Sequence, residues 1–155
     1  MGGVQENMSE STEQQALFEW AALYARETPE LDMLYAIPNQ GGAGKAAIIR
    51  GQKMRREGQK KGIPDLCLPV RRANWNALYI EMKDIKGGRL SPHQLDCLGK
   101  LSFYHNCCVL AHGFDAAREA IMEYLSLDDA IGDEGGNNGM PSEDPFGMGP
   151  YRVFR

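Results

Sequence analysis

The chain has 155 residues, of which 43% are hydrophobic, and a formal net charge of −4. This length is typical of one domain with its own core, and no apolar run approaches the roughly 20 residues that cross a bilayer. The first residues lack the basic start and apolar segment of a secretory signal. The four cysteines show no C-x-x-C spacing and are interpreted as reduced thiols. We therefore expect a cytoplasmic protein that does not associate with membranes.

The negative charge is concentrated at one end of the chain. Six of the 21 acidic residues, but only two of the 17 basic residues, lie in 128–155, so the rest of the chain carries 15 of each. The segment 128–155 is also rich in glycine and has no hydrophobic period. We predict a mobile N-terminus over 1–11, a folded domain over 12–127 and a disordered acidic tail over 128–155. The aromatic residues of the tail, Tyr151 and Phe154 among them, leave open that part of it docks on the domain.

The first predicted helix spans 12–26, with Ser11 or Thr12 as its cap. Four apolar residues recur at the spacing of a buried helix face: Leu17, Trp20, Ala21 and Tyr24. Glu13 begins the same face, which suggests that this acid has a partner inside the protein, although the helix dipole also favours an acid in the first turn. Glu10 lies on that face one turn earlier, so the sequence leaves both acids as candidates.

A strand is predicted over 31–37 and a second helix over 43–57. This helix and the loop after it carry seven basic residues against a single acid, Glu57. The seven are Lys45, Arg50, Lys53, Arg55, Arg56, Lys60 and Lys61. Such a concentration of charge predicts a DNA-binding patch that contacts phosphates. The alternative is a helix face that is only solvated.

Two strands are predicted over 65–69 and 77–83, and strands joined so closely usually pair side by side. Asp65 begins the first strand and Glu81 lies near the end of the second, so antiparallel pairing would bring their carboxylates together. Residues two apart on a strand share a face, so Lys83 projects beside Glu81 while Met82 points away. Two carboxylates suit Mg²⁺, and a lysine beside it can orient water or stabilise charge on a phosphate. The pattern predicts phosphodiester hydrolysis; the alternative is a surface ion pair at a strand end.

A third helix begins at Ser91-Pro92, and Gln94 completes a Ser-x-x-Gln capping box. A functional role for Gln94, holding a water or a phosphate near the site, is an equal alternative. A strand over 107–111 and a helix over 115–125 follow. The order α-β-α-β-β-α-β-α indicates an α/β fold with a mixed central sheet flanked by helices.

These segments together resemble the VRR-NUC nucleases of the PD-(D/E)xK superfamily, which occur as small stand-alone proteins in phages and bacteria. The matching segments are 37–39, the basic helix, 61–66, 79–83 and 87–94, and the resemblance spans about Glu13 to Leu125. It implies a restriction-endonuclease-like core and dependence on Mg²⁺ or Mn²⁺. By this resemblance, Asp65, Glu81 and the backbone carbonyl of Met82 bind the metal, and Lys83 is the catalytic lysine.

The resemblance also implies that Glu13 supplies a further acid, which reaches the metal through water, and that Gln94 is the glutamine after the lysine strand. Stand-alone members are similar to Holliday-junction resolvases, which implies a homodimer acting on branched or duplex DNA. Gln40 departs from the pattern, because many relatives continue the Pro-Asn turn directly into Gly-Gly. The alternatives are a non-catalytic DNA-binding module on the same fold and a zinc protein. The zinc ligands would be cysteines with His93, His105 and His112, whose spacings match no familiar tetrahedral site.

Overall fold

The computed structural model describes residues 9–39, 44–128 and 151–155. Its helices are α1 (Glu10–Tyr24), a 3₁₀ helix (Pro29–Met33), α2 (Lys45–Arg56), α3 (Pro92–Phe103) and α4 (Gly113–Leu125). Its strands are β1 (Tyr35–Ala36), β2 (Leu66–Leu68), β3 (Leu78–Lys83), β4 (Cys107–His112) and β5 (Arg152–Phe154). None of the helices in the described part of the chain is long and apolar enough to span a membrane.

The five strands form one mixed sheet in the order β1-β2-β3-β4-β5. Strand β2 is antiparallel to both of its neighbours, β1 and β3, and Leu66 of β2 lies opposite Ile80 of β3. The pairs β3-β4 and β4-β5 are parallel. Helix α3 carries the chain back between β3 and β4, as a parallel pair requires. The expected α/β fold with a mixed sheet is therefore confirmed, as is the antiparallel pairing of the two strands that carry the carboxylates.

The two faces of the sheet have different roles. Alternate residues such as Leu78, Ile80 and Met82 are fully buried in the main core together with Leu17 of α1 and Ile121 of α4. The intervening residues of β3 point to the opposite face. On that face α3 packs against β4, where the thiol of Cys108 contacts the carbonyl of Leu98. The face away from the main core thus carries Tyr79, Glu81 and Lys83.

The segment predicted as a strand over 31–37 is a strand only in part, so the predicted extent was wrong. Residues 29–33 form the 3₁₀ helix, with Pro29 in its first turn, and the strand is reduced to Tyr35–Ala36. Leu31 and Leu34 are both buried, and their separation of three residues matches one 3₁₀ turn. Helix α1 begins earlier than predicted, because Ser9 rather than Ser11 or Thr12 accepts the capping hydrogen bond.

Strand β5 belongs to the segment that the sequence analysis assigned to the acidic tail. It pairs in parallel with β4, Phe154 is buried in the main core, and Arg152 forms an ion pair with Glu123 of α4. Hydrogen bonding to β4 and burial of one aromatic ring hold these three residues in the sheet. The remainder of the predicted tail, 129–150, lies outside the described residues, as does most of the predicted mobile N-terminus.

Candidate active site

Asp65 and Glu81 meet at the junction of β2 and β3. The pairing of Leu66 with Ile80 continues by one residue to place Asp65 beside the end of β3. There the amide N–H of Met82 donates a hydrogen bond of 2.8 Å to Oδ2 of Asp65. The Glu81 side chain is buried, with only 2% of the residue exposed. The two carboxylates predicted to converge are therefore neighbours on one rigid edge.

Lys83 lies on the same face of β3 as Glu81, as its spacing predicted. Its Nζ donates to Oε1 of Glu81 at 2.8 Å, and 14% of its side chain is exposed. The loop that follows packs against the lysine stem, since a Cβ added to Gly88 would lie 3.0 Å from Cδ of Lys83. A side chain at Gly88 would require the lysine stem to shift by a few tenths of an ångström, so the loop lies close against Lys83.

Gln94 has the predicted capping role and also contacts a carboxylate of the site. The capping box is present: the Ser91 hydroxyl accepts from the Gln94 amide, and Oε1 of Gln94 accepts from the Ser91 amide at 2.8 Å. At the same time Nε2 of Gln94 donates to Oε1 of Glu81. The cap thus fixes the orientation of the side chain amide, and the amide holds Glu81.

The two oxygens of Glu81 have different surroundings. Oε1 accepts from both Lys83 and Gln94, whereas Oε2 is buried without a hydrogen-bond partner among the described residues. Burial raises the pKa of Glu81 to about 7; the hydrogen bond from Lys83 opposes this rise, and the charge of Asp65 adds to it. A buried acceptor without a partner is costly, so this oxygen is poised to bind a cation or a proton.

We expect the stability of the metal-free protein to decrease as the pH rises from about 4.5 to about 7. The folded-state pKa of Glu81 lies above its ordinary value, so in this window the folded protein binds more protons than the unfolded chain. The decrease at pH 8 relative to pH 5 should be about 2 kcal/mol. Urea unfolding of the wild type and of Glu81→Gln in EDTA measures it. The variant should lack this part of the pH dependence, and identical pH profiles would contradict the assignment.

The two acids of α1 have different positions. Glu13 is buried, and its Oε2 accepts a 2.7 Å hydrogen bond from the amide of Phe114 in the first turn of α4. Glu10 is exposed at the rim of the cavity that contains Asp65 and Glu81. Partial burial and the charge of Asp65 raise the pKa of Glu10. Glu13, the acid chosen from the sequence, is therefore directed toward α4, while Glu10 faces the site.

Removing the Glu13 carboxylate should destabilise the fold. The Glu13→Ala variant leaves the partly buried amide of Phe114 without its acceptor and removes a negative charge from the N-terminal end of α4. We expect a decrease of about 1–3 kcal/mol in the free energy of unfolding. The control is Glu10→Ala, an exposed site at which about 0.5 kcal/mol or less is expected. Chemical denaturation of both variants measures the difference, and equal decreases would show that Glu13 does not support α4.

Asn39 belongs to the site although the sequence analysis gave it no role of its own. Its amide Nδ2 donates to the Ile63 carbonyl at 2.8 Å and to Oδ1 of Asp65 at 3.3 Å. The loop before Asp65 is held from the other side at Gly62, which has φ +76° and where a Cβ would lie 2.3 Å from the carbonyl oxygen of His93. The only sequence signal for Asn39 is its place in the Pro-Asn turn after the short strand.

These side chains surround an open cavity of about 440 Å³. Asp65, Glu81, Lys83 and Gln94 line it together with the rim residue Glu10. Of the seven basic residues predicted to contact DNA, three line the cavity: Arg55, Lys60 and Lys61. The other four, Lys45, Arg50, Lys53 and Arg56, are exposed on α2, which buries none of its residues. The cavity therefore has acidic residues, Asp65 and Glu81, at its floor and basic residues, Arg55, Lys60 and Lys61, along one wall.

A family model described as the VRR-NUC domain matches residues 2–108. The chain belongs to the VRR-NUC family. A solved structure described as a VRR_NUC domain protein is 25% identical to the chain, with a TM-score of 0.66. The match covers 83% of this chain and 94% of that one. No curated protein matches the chain. The resemblance inferred from the motifs is thereby confirmed, and the domain assigns the chain to a nuclease-type family.

The donor atoms at this VRR-NUC site are of the kind that a hard divalent cation prefers. Asp65 and Glu81 offer carboxylate oxygens, including the unpartnered Oε2, and oxygen ligands of this type suit Mg²⁺, which usually keeps several waters. Among the described residues there is no group of three or more histidine, cysteine, aspartate or glutamate side chains arranged to hold a metal. A cation here would therefore complete its shell with water, backbone or substrate oxygens.

Proposed function

We propose that this VRR-NUC protein is a Mg²⁺- or Mn²⁺-dependent endonuclease that hydrolyses phosphodiester bonds in DNA, with branched DNA as its preferred substrate. The observation that carries the proposal is the unpartnered buried oxygen of Glu81 beside Asp65 and Lys83, at the floor of a cavity with a basic wall. Membership of the family supports a nuclease activity. The carboxylate oxygens of Asp65 and Glu81 support its dependence on a divalent metal.

In this proposal Asp65, Glu81 and the Met82 backbone carbonyl would hold the cation, and Glu10 would supply the further acid at the rim of the cavity. The bound ion supplies Lewis acidity toward a phosphate oxygen and toward water. We assign the α1 acid to Glu10 because Glu13 accepts a hydrogen bond from the α4 backbone. Asn39 and Gln94 keep the two carboxylates oriented through their amide groups.

We assign to Lys83 the stabilisation of charge and the orientation of water during the reaction. The positive charge of Lys83 stabilises the negative charge that develops on the phosphate oxygens during attack by water. Its ammonium group also donates a hydrogen bond that orients the attacking water. The ion pair with Glu81 and packing against Gly88 position Nζ before the substrate binds, so little reorganisation is required during the reaction.

The test is cleavage of a labelled four-way junction and of the corresponding linear duplex, each with Mg²⁺, with Mn²⁺ and with EDTA. We expect cleavage with either metal, none with EDTA, and faster cleavage of the junction. Binding without cleavage under every metal condition would favour the non-catalytic DNA-binding module. Equal cleavage of the two substrates would retain the nuclease and remove the preference for branched DNA.

The basic residues of α2 should determine DNA affinity more than cleavage chemistry. We expect the double charge reversal Arg55→Glu/Arg56→Glu to weaken binding and to lower the slope of log K against log salt by roughly 0.9 for each phosphate that is no longer neutralised. Fluorescence anisotropy at several salt concentrations measures this slope. The matched control is Arg26→Glu/Lys100→Glu, which changes the charge equally at exposed residues outside the cavity. If the two double variants have the same DNA affinity and the same salt slope, α2 is only a solvated helix that does not contact DNA.

The proposed homodimer rests on the resemblance to junction resolvases. Two sites in one dimer would cut two strands of a junction in a single binding event. Sedimentation velocity of the protein alone and of its junction complex measures the assembly. A monomer in both states would require that the two strands are cut in separate encounters.

A further inference from the structure

A second cavity, of about 740 Å³, opens beside the candidate active site. Residues 85–90, which follow the lysine strand, form one wall, and the last strand forms the other. Leu110 and His112 of β4 line it between these walls. Its lining includes none of the proposed catalytic residues Asp65, Glu81 and Lys83.

The alternation of β5 determines which side chains enter the cavity. Phe154 and Arg152 point to the main core and to Glu123 of α4, respectively. The intervening residues Tyr151, Val153 and Arg155 line the cavity. One face of β5 therefore packs on the main core, and its other face lines the second cavity.

The lining of this cavity combines cationic and apolar groups. Lys86, Arg89 and Arg155 are exposed cationic residues, and none of the three has a salt bridge with a described residue. The described residues that line the cavity include no acid. Its apolar part includes the side chains of Leu90 and Val153. Cations without carboxylate partners around a partly apolar cavity are complementary to an anion that also carries an apolar group.

The residues that line the second cavity are adjacent in sequence to residues that line the candidate active site. Lys83 and Ser91 line the first cavity, and residues 85–90 between them line the second. Gly88 packs against the stem of Lys83 while also lining the second cavity. A DNA strand with a phosphate at Lys83 would therefore have its neighbouring nucleotides within reach of the second cavity.

We propose that the second cavity binds unpaired nucleotides of the substrate strand next to the phosphate that is cut. This inference rests on the proposed nuclease function. The outer surface of a duplex offers phosphates and sugars to the protein, which would contact the cationic rim but leave the apolar lining unused. An unpaired strand offers phosphates to Lys86, Arg89 and Arg155 and a base to the ring of Tyr151, the combination that is typical of single-strand binding sites. Among branched DNAs, the favoured substrates are accordingly those that carry an unpaired segment at the cleavage site.

The test compares binding of a labelled blunt duplex and of the same duplex with a single-stranded tail, measured by anisotropy in EDTA so that no DNA is cut. We expect the wild type to prefer the tailed duplex about tenfold and Tyr151→Ala to lose most of that preference, as expected when one base no longer stacks on an aromatic ring. Tyr151→Phe, which retains the ring, should bind like the wild type. Lys86→Glu/Arg89→Glu should weaken binding of the tail and lower its salt slope by roughly 0.7 for each phosphate that is no longer neutralised.

The control is again Arg26→Glu/Lys100→Glu, which should leave the ratio of the two affinities unchanged. A wild type that does not distinguish the tailed from the blunt duplex would overturn the proposal. Equal weakening of both DNAs by the cavity variants would also overturn it, since the cavity would then contact only duplex phosphates. These affinities are independent of cleavage, so a failure to detect metal-dependent cutting would count against the nuclease function and not against the tail preference.

Discussion

Replacing Lys83 with methionine is expected to reduce metal-dependent DNA cleavage by about 10²–10³-fold or more while leaving DNA affinity nearly unchanged. Methionine has nearly the same length and fits the same partly buried channel beside Gly88, but it carries no charge and no N–H donor. The stabilisation of charge on the phosphate is removed, whereas the basic wall formed by Arg55, Lys60 and Lys61 remains. Single-turnover cleavage and equilibrium binding of the same junction DNA measure the two quantities separately.

Two further measurements make the role of Lys83 specific. Added Mg²⁺ should raise the melting temperature of Lys83→Met at least as much as that of the wild type, since Asp65 and Glu81 are intact. Lys83→Arg should recover part of the cleavage, because it restores the positive charge. Equal reductions of cleavage and DNA binding in Lys83→Met would show that the lysine contributes to affinity and not to the chemical step.

The Asp65→Asn variant is expected to reduce cleavage by about 10³-fold or more, because metal ions contribute several kcal/mol of transition-state stabilisation. Asparagine retains one oxygen, which can accept the 2.8 Å hydrogen bond from the Met82 amide. Its NH2 group cannot accept the longer, 3.3 Å bond from Asn39. The variant should also lose most of the stabilisation by Mg²⁺ that the wild type shows. Thermal unfolding with and without Mg²⁺, beside the cleavage assay, measures both effects.

The matched control is Asp96→Asn, which removes one negative charge from an exposed residue of α3 that pairs with Lys100. It should cut DNA and respond to Mg²⁺ like the wild type. The two active-site variants thus differ in a diagnostic way, since Lys83→Met keeps the response to metal and Asp65→Asn loses it. Retention of Mg²⁺ stabilisation in Asp65→Asn would exclude Asp65 as a metal ligand.

The central hairpin was predictable because its determinants are local. Two apolar segments separated by a short polar loop pair as neighbouring strands, and the two-residue period of a strand places Glu81 and Lys83 on one face. The capping box of α3 was equally predictable, since it depends on four consecutive residues, Ser91 to Gln94. The prediction failed in the region before β1, because Leu31 and Leu34 are apolar in a pattern that fits both a strand and a 3₁₀ turn.

The family, the mixed α/β fold and the grouping of Asp65, Glu81 and Lys83 could be predicted from the sequence, because they follow from motifs and from pairing over short distances. Which acid of α1 faces the site depends instead on how the helices pack. Glu10 and Glu13 share a helical face, and the packing of α1 against the N-terminal end of α4 directs Glu13 to Phe114 and leaves Glu10 at the cavity. The bond from Asn39 to Asp65 and the pairing of β5 with β4 join segments far apart in the chain, and no local period encodes such contacts.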